Sequence, residues 1–197
     1  MELDQYKLSL PLRQKLDALP KFELTGLFGN CPVQAEGFLD HQFFYFRARG
    51  DVWRIEVGGD AEFTKRPTWW YGEHWPSTDG MAAGWMTDEE ALGCIYRAAE
   101  DYYSSDRVRF QEGHPDYERT VLEGWSFLAL TLQDVSEMLG IAPEQAGDRA
   151  EALGFDPPWT FENDLKWIIA DRNRSDPLSY CPTHFFTFRR SPCERSW

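Results

Sequence analysis

Carboxylates and large aromatic rings are the side chains of this sequence best placed to do chemistry at a surface, and both concentrate in its middle. Residues 67–170 carry six Lys/Arg against twenty Asp/Glu, residues 1–66 nine against ten, and residues 171–197 five against three. The formal net charge of −13 therefore comes almost wholly from the central stretch. A surface built from it repels nucleic-acid phosphates and attracts basic partners, because phosphate binding requires Lys and Arg to neutralise the backbone. Trp69, Trp70, Tyr71 and Trp75 lie between Pro67 and Pro76, and Asp88, Glu89, Glu90, Glu100 and Asp101 follow. Trp and Tyr give large contact areas at little entropic cost, and carboxylates steer a basic partner towards them. The pattern points to a protein-binding module whose exposed aromatics anchor a basic protein surface, one that otherwise holds nucleic acid. An inhibitor works in this way.

A second chemistry is open to Arg47, Arg49 and His74. Guanidinium groups pair with carboxylate or phosphate in planar, two-pronged fashion, so these residues and the aromatic segment could line a small-molecule pocket or an enzyme site. Enzyme signatures are otherwise missing: the chain has no Gly-x-Ser-x-Gly elbow, no phosphate-binding Gly-x-x-x-x-Gly-Lys run and no His-Glu-x-x-His. His74 next to Glu73 is the best acid–base candidate. Cys181, His184 and Cys193 supply zinc-favoured ligands, but only three of them, with a fourth to come from afar. No cofactor is expected, and no metal.

A third chemistry would use residues 131–153, two short helices meeting at Gly140 in the manner of a helix-turn-helix. A helix that reads DNA needs donors for phosphates and base edges. The second helix instead offers Glu144, Gln145, Asp148, Arg149 and Glu151, a net negative surface. Direct nucleic-acid binding is therefore the weakest of the three readings, and a helix pair used for packing or protein contact is the stronger one.

The elements that position these groups follow from periodicity. Leu8, Leu12, Leu16 and Leu19 recur at helical spacing up to Pro20, and an entry strand follows to about residue 25. Val33–Leu39, Phe43–Arg49 and Val52–Val57 are short β-branched and aromatic runs. They alternate Phe44, Phe46 and Ala48 with Tyr45, Arg47 and Arg49, and Trp53, Ile55 and Val57 with Arg54 and Glu56. This predicts an antiparallel meander with one face buried and a basic face, Tyr45, Arg47, Arg49 and Arg54, displayed. The stretch from Cys31-Pro32-Val33 through Phe44-Tyr45-Phe46-Arg47-Ala48-Arg49 to Trp53 resembles a strand pair shared by a group of uncharacterised bacterial and phage proteins. The resemblance covers about residues 31–57. It implies a bacterial or phage setting, in which an accessory protein commonly binds and blocks a host protein, and it brings no activity or site residue.

Residues 60–86 show no clean period and read as a long loop. Thr87 with Glu90 forms a capping box, opening a helix with Ala91, Ile95, Ala98 and Tyr102 on one face. Residues 107–130 read as a strand pair around His114-Pro115-Asp116. Residues 131–172 read as three short helices, started by Thr131, Pro143 and Thr160 and stopped by Gly140 and Gly154. A last strand is expected at His184–Arg189.

The fold class is thus α+β: an antiparallel sheet from the N-terminal half packed by helices, with a helical subregion at 131–172. All 197 residues are read as one domain, for no linker stands out. No stretch approaches the ~20 apolar residues that cross a bilayer, so no membrane partner is expected. Met1-Glu2-Leu3-Asp4 does not open a secretory signal, and four scattered cysteines do not make a secreted disulfide scaffold. Both point to the cytoplasm.

Overall fold

Tight turns at Asp40-His41 and Gly50-Asp51 set the register of the sheet. In the computed structural model, which describes residues 12–77, 80–105 and 107–172, Asp40 and His41 both take positive φ, 49° and 63°. Two-residue hairpins favour that geometry because its twist matches the strands it joins. Leu39 accordingly pairs with Gln42 across the first turn, and Arg49 with Val52 across the second. Five strands follow in simple antiparallel order: β1 (Phe22–Phe28), β2 (Val33–Leu39), β3 (Gln42–Arg49), β4 (Val52–Val57) and β5 (Trp69–His74). The expected entry strand and meander are present as β1 to β4, and β5 extends the sheet at its other edge. Helices follow it, which makes the fold α+β.

The described residues divide into two compact units, with the division between Val108 and Arg109. In the N-terminal unit, α1 (Leu12–Asp17) buries Leu12 and Leu16; Leu8 lies outside the described residues. One face of the sheet carries Val33, Ala35, Leu39, Phe44, Phe46, Ala48, Trp53, Ile55, Val57 and Trp69, all buried. Against it lies α2 (Asp88–Ser104), through Ala91, Cys94, Ile95, Ala98 and Tyr102. The Tyr102 ring meets Trp69 edge-on at 5.2 Å. Position 37 must be glycine, because a Cβ there would run into the Glu23 carbonyl of β1 and come within 2.6 Å of the Phe44 ring. The α2 capping box forms as expected: the Glu90 amide donates to the Thr87 hydroxyl at 3.2 Å, and the Thr87 amide donates to Glu90 Oε2 at 2.7 Å.

Three expectations need correction. The segment 60–86 is not one long loop, for Trp69–His74 forms edge strand β5, with Trp69 opposite Val57 and Tyr71 opposite Ile55. Its period is hidden because Trp69 and Trp70 point to opposite faces of the sheet and both are buried. The basic face of the meander is not displayed: Tyr45, Arg47 and Arg54 are buried too. Part of the cover is the β4–β5 connection, whose Phe63 ring lies edge-on to Tyr45 at 4.9 Å. That connection is braced by Asp60, which accepts from the Thr64 amide at 2.7 Å and hydroxyl at 2.6 Å. The hydroxyl bond is the main reason its carboxyl is held below the usual carboxylate range.

The third correction concerns residues 107–130, where α3 (Tyr117–Ser126) replaces the expected strand pair. Thr120, Val121, Leu122, Gly124 and Trp125 are its buried positions, and the three- and four-residue steps among Thr120, Val121, Gly124 and Trp125 are a helix stripe. Across the described residues 131–172 the three expected helices are present: α4 (Leu132–Leu139), α5 (Ala146–Ala152, entered through a short 3₁₀ turn at Pro143–Gln145) and α6 (Phe161–Arg172). Thr131 and Asp134 cap α4 reciprocally, and Gly140 ends it at φ 61°. Trp125 meets Phe161 edge-on at 5.2 Å. Phe161 also lies over Gly147, where a Cβ would stand 2.7 Å from the ring. No described helix is long and apolar enough to cross a membrane.

Candidate functional site

Among the described residues of the N-terminal unit the two most exposed large apolar ones, Trp85 and Met81, lie at the Gly50-Asp51 end of the sheet. There the segment after β5 returns across the Gly50-Asp51 turn. The Trp75 amide donates to the Asp51 carbonyl at 2.7 Å, and the Ala83 amide to the Gly50 carbonyl at 2.9 Å. A 3₁₀ turn at Ala82–Trp85 follows. Its glycine lies close to the sheet: a Cβ on Gly84 would stand 3.0 Å from Cys31 Sγ and 3.7 Å from the Arg49 Cα. Ala83 and Gly84 are buried, so the turn is pinned to the sheet by small residues. Trp85 then projects outward with 65% of its surface exposed, and Met81 with 51%. Isolated exposed apolar residues are ordinary; an indole held out by a rigid seat is a less common arrangement. Asp88 and Glu89 follow at once, exposed in the first turn of α2, where the helix dipole favours carboxylates. Exposed His74 faces exposed Asp51, with Nδ1 3.5 Å from Oδ2, at the same end. In open water this pair lacks the shielding that acid–base catalysis gains from a dry cleft.

The other groups singled out in the sequence are placed differently. Trp69, Trp70 and Trp75 are buried and cannot serve as exposed anchors. Trp69 and Trp70 belong to the sheet, where β-pairing puts them on its two covered faces, and Trp75 follows directly after β5. Tyr71 is half-buried and donates to Glu73 at 2.5 Å, and Arg97 from α2 reaches the same carboxylate oxygen at 2.7 Å. The acidic residues do not form one patch. Glu90 is committed to the capping box, Glu100 accepts from Tyr96 at 2.8 Å, and Asp101 is half-buried. Asp88 and Glu100 also lie about 18 Å apart along the helix, at 1.5 Å rise per residue. Asp88 and Glu89 remain exposed, close after Trp85 in the chain.

Sequence reasoning missed Met81 and Trp85. Their signal was Gly80-Met81-Ala82-Ala83-Gly84-Trp85, a large ring set among residues too small to cover it, just ahead of a capping box.

Arg47, Arg49 and Arg54 do converge, on the sheet face opposite α2. Arg47 pairs directly with Arg54 across β3 and β4, and Arg49 follows two residues on. Arg54 Nε donates to Glu56 Oε1 at 2.8 Å within the buried layer. Arg47 Nη1 donates to the Tyr45 hydroxyl at 3.2 Å, and that hydroxyl donates to Gln34 Oε1 at 2.5 Å.

The tyrosines of both faces report their surroundings. Burial pushes the Tyr71 hydroxyl well up, and its bond to Glu73 adds to this. Burial also raises Tyr45, against the pull of Arg47 and Arg54. A group whose folded pKa is raised holds its proton where the unfolded chain has lost it. Stability is therefore intact below the ordinary tyrosine value of about 10 and falls as pH climbs beyond it. An alkaline ultraviolet titration should show a late-ionising class of tyrosines, diminished in Tyr71→Phe. Ionisation of every tyrosine in a single ordinary step before unfolding would contradict these placements.

In the C-terminal unit, α4, Gly140 and α5 give the expected helix pair. Arg149, the one basic residue of α5, is engaged by Glu118 of α3 at 2.8 Å, while Glu144, Asp148 and Glu151 are exposed. Cys181, His184 and Cys193, and the strand expected at His184–Arg189, lie outside the described residues. Among the described residues no three His, Cys, Asp or Glu side chains are grouped to hold a metal ion. Compared with models of known protein families, with curated proteins and with solved structures, the chain matches none of them.

Proposed function

We propose that this chain is an acidic protein-binding module that docks a basic protein surface through Trp85 and Met81, with Asp88 and Glu89 as the charged flank. The observation that carries the reading is Trp85, 65% exposed on a turn seated against the Gly50-Asp51 hairpin. Such a ring loses little freedom on binding, since its backbone is already held, and Trp is the residue most enriched at energetic centres of interfaces. The net charge of −13 favours a basic partner and disfavours nucleic acid itself. A surface that ordinarily holds nucleic acid has the required charge, and occupying it would inhibit its owner.

The test is an affinity capture from bacterial lysate with the wild-type chain and with Trp85→Ala, washed at roughly 50 mM and then 500 mM salt, a range over which the screening length shrinks severalfold. A basic protein should be held by the wild type and released by salt. Its affinity for Trp85→Ala should fall by about 30-fold, matching a truncation cost of about 2 kcal/mol. Equal capture by Trp85→Ala, or retention indifferent to salt, would overturn the proposal.

A further inference from the structure

Each of the two units holds an indole out into solvent, and the local construction is the same in both. Trp85, 65% exposed, stands between buried Gly84 and buried Met86. Trp159, 66% exposed, stands between buried Pro158 and buried Thr160. A threonine and then a helix with carboxylates in its first turn follow each ring: Thr87 and α2 in one unit, Thr160 and α6 in the other. The connection from α5 to α6 is fixed on both sides of Trp159. Gly154 turns the chain at φ 85°, and the Phe155 amide donates to the Ala150 carbonyl at 2.9 Å. Arg119 of α3 lies over the Phe155 ring at 4.8 Å and donates to the Leu153 carbonyl at 3.2 Å. Beyond the ring, the Phe161 amide donates to the Pro158 carbonyl and the Asp164 amide to the Thr160 carbonyl, both at 2.9 Å. Pro157 and Pro158 have their φ set by their own rings. An indole carried on a backbone held in this way loses little freedom on binding.

Charge in this unit is one-sided. Residues 109–172 carry five Lys/Arg against thirteen Asp/Glu. In the first turn of α6, Glu162 is exposed and has Lys166 within 3.9 Å. Asp164, in the same turn, is half-buried, and among the described residues no cation pairs with it. Burial holds its carboxyl above the ordinary carboxylate value, against a smaller pull from the Thr160 hydroxyl. An incoming cation would offset the cost of keeping that carboxylate charged, and the surplus of carboxylates in the unit attracts the same sign. The positive end of the α6 dipole works against a cation here, but only as about half a charge, and Glu162 and Asp164 outweigh it.

We propose that the entrance to α6 is a second docking site, built on Trp159 and Asp164, which takes an arginine or lysine side chain from a basic protein segment. An indole draws a cation to its face, and the carboxylate supplies the counter-charge. Arginine, planar and weakly hydrated, suits both better than lysine. The site shares with the Trp85 surface only the kind of partner. It lies in the other unit and uses none of the same residues, so either operates without the other.

Oligoarginine and oligolysine peptides are the probes, with a glycine–serine peptide of equal length as control. They are titrated into the full chain while the indole N–H resonances are followed by NMR, the Trp159 signal being identified by its loss in Trp159→Phe. That signal should shift saturably with either basic peptide, more tightly with oligoarginine, and stay still with the control. Asp164→Asn keeps the side-chain shape and removes the half-buried charge, so the fold should persist by circular dichroism while affinity falls about five-fold. Glu151→Gln, an equal change of charge at an exposed position of α5, should leave affinity within about two-fold of wild type. A Trp159 signal that neither basic peptide moves would overturn the proposal. So would a Glu151→Gln variant weakened as much as Asp164→Asn, for then the diffuse charge of the unit holds the peptide. Trp85→Ala should leave the Trp159 response unchanged, and failure of protein capture at Trp85 would not bear on this site.

Discussion

Glu56→Gln should destabilise the N-terminal unit by about 3–5 kcal/mol, the usual cost of stripping one partner from a buried ion pair. Glu56 and Arg54 have almost no exposed side-chain surface and meet at 2.8 Å. With the carboxylate gone, the Arg54 charge stays in the layer, directly opposite Arg47, with a neutral amide in place of its counter-ion. The double substitution Arg54→Met/Glu56→Leu should regain most of the loss, because two apolar side chains leave no charge to desolvate. Urea unfolding followed by tryptophan fluorescence measures both, with Trp53 one register position from Arg54 as a reporter in this unit. A Glu56→Gln variant within about 1 kcal/mol of wild type would mean that water reaches the pair, as at an exposed salt bridge.

Trp125→Ala should cost the C-terminal unit about 3–5 kcal/mol, the range for removing a buried indole. Trp125 is 1% exposed on α3 and holds Phe161 of α6 edge-on. Phe161 in turn sits against Gly147 of α5, so the cavity would open where three helices meet. Trp125 is the largest buried side chain among the described residues of this unit, and its cooperative transition should move to much lower urea. Trp125→Phe should recover part of it by keeping a ring against Phe161. If Trp125→Ala leaves both thermal and urea midpoints in place, the α3–α6 contact does not hold the unit together.

Both predictions concern residues whose role the primary structure showed only in part. Alternation in β2, β3 and β4 located the meander to within a residue, and the capping boxes at Thr87 and Thr131 located α2 and α4. These signals survive because they are local: a turn, a cap or a period-two run is stabilised by neighbours a few residues away. Alternation of Arg and Glu with Phe and Ile also implied a solvated polar face, and there the inference failed. Whether a sheet face meets water depends on a crossing segment such as the one that carries Phe63, and no local pattern encodes that. The Trp69–Trp75 cluster failed for the same reason. Aromatic surplus looks alike whether the rings fill a two-sided sheet or wait for a partner.

The strand pair expected at 107–130 failed differently. Val108, Phe110, Val121 and Phe127 suit a strand by residue type, yet Thr120, Val121, Gly124 and Trp125 already carried the helical step that α3 uses. Residue preference outweighed spacing in that reading, whereas burial of the stripe decides the structure.

The amino-acid sequence by itself determined the α+β class, the hairpin register, the capped helices and the concentration of negative charge in the middle of the chain. Each is a property of composition or of contacts between close neighbours. Only the tertiary structure decided which aromatic ring faces solvent and that three arginines share one covered sheet face. Exposure and convergence are set by segments far apart in the chain, and their free energy is settled only when those segments pack.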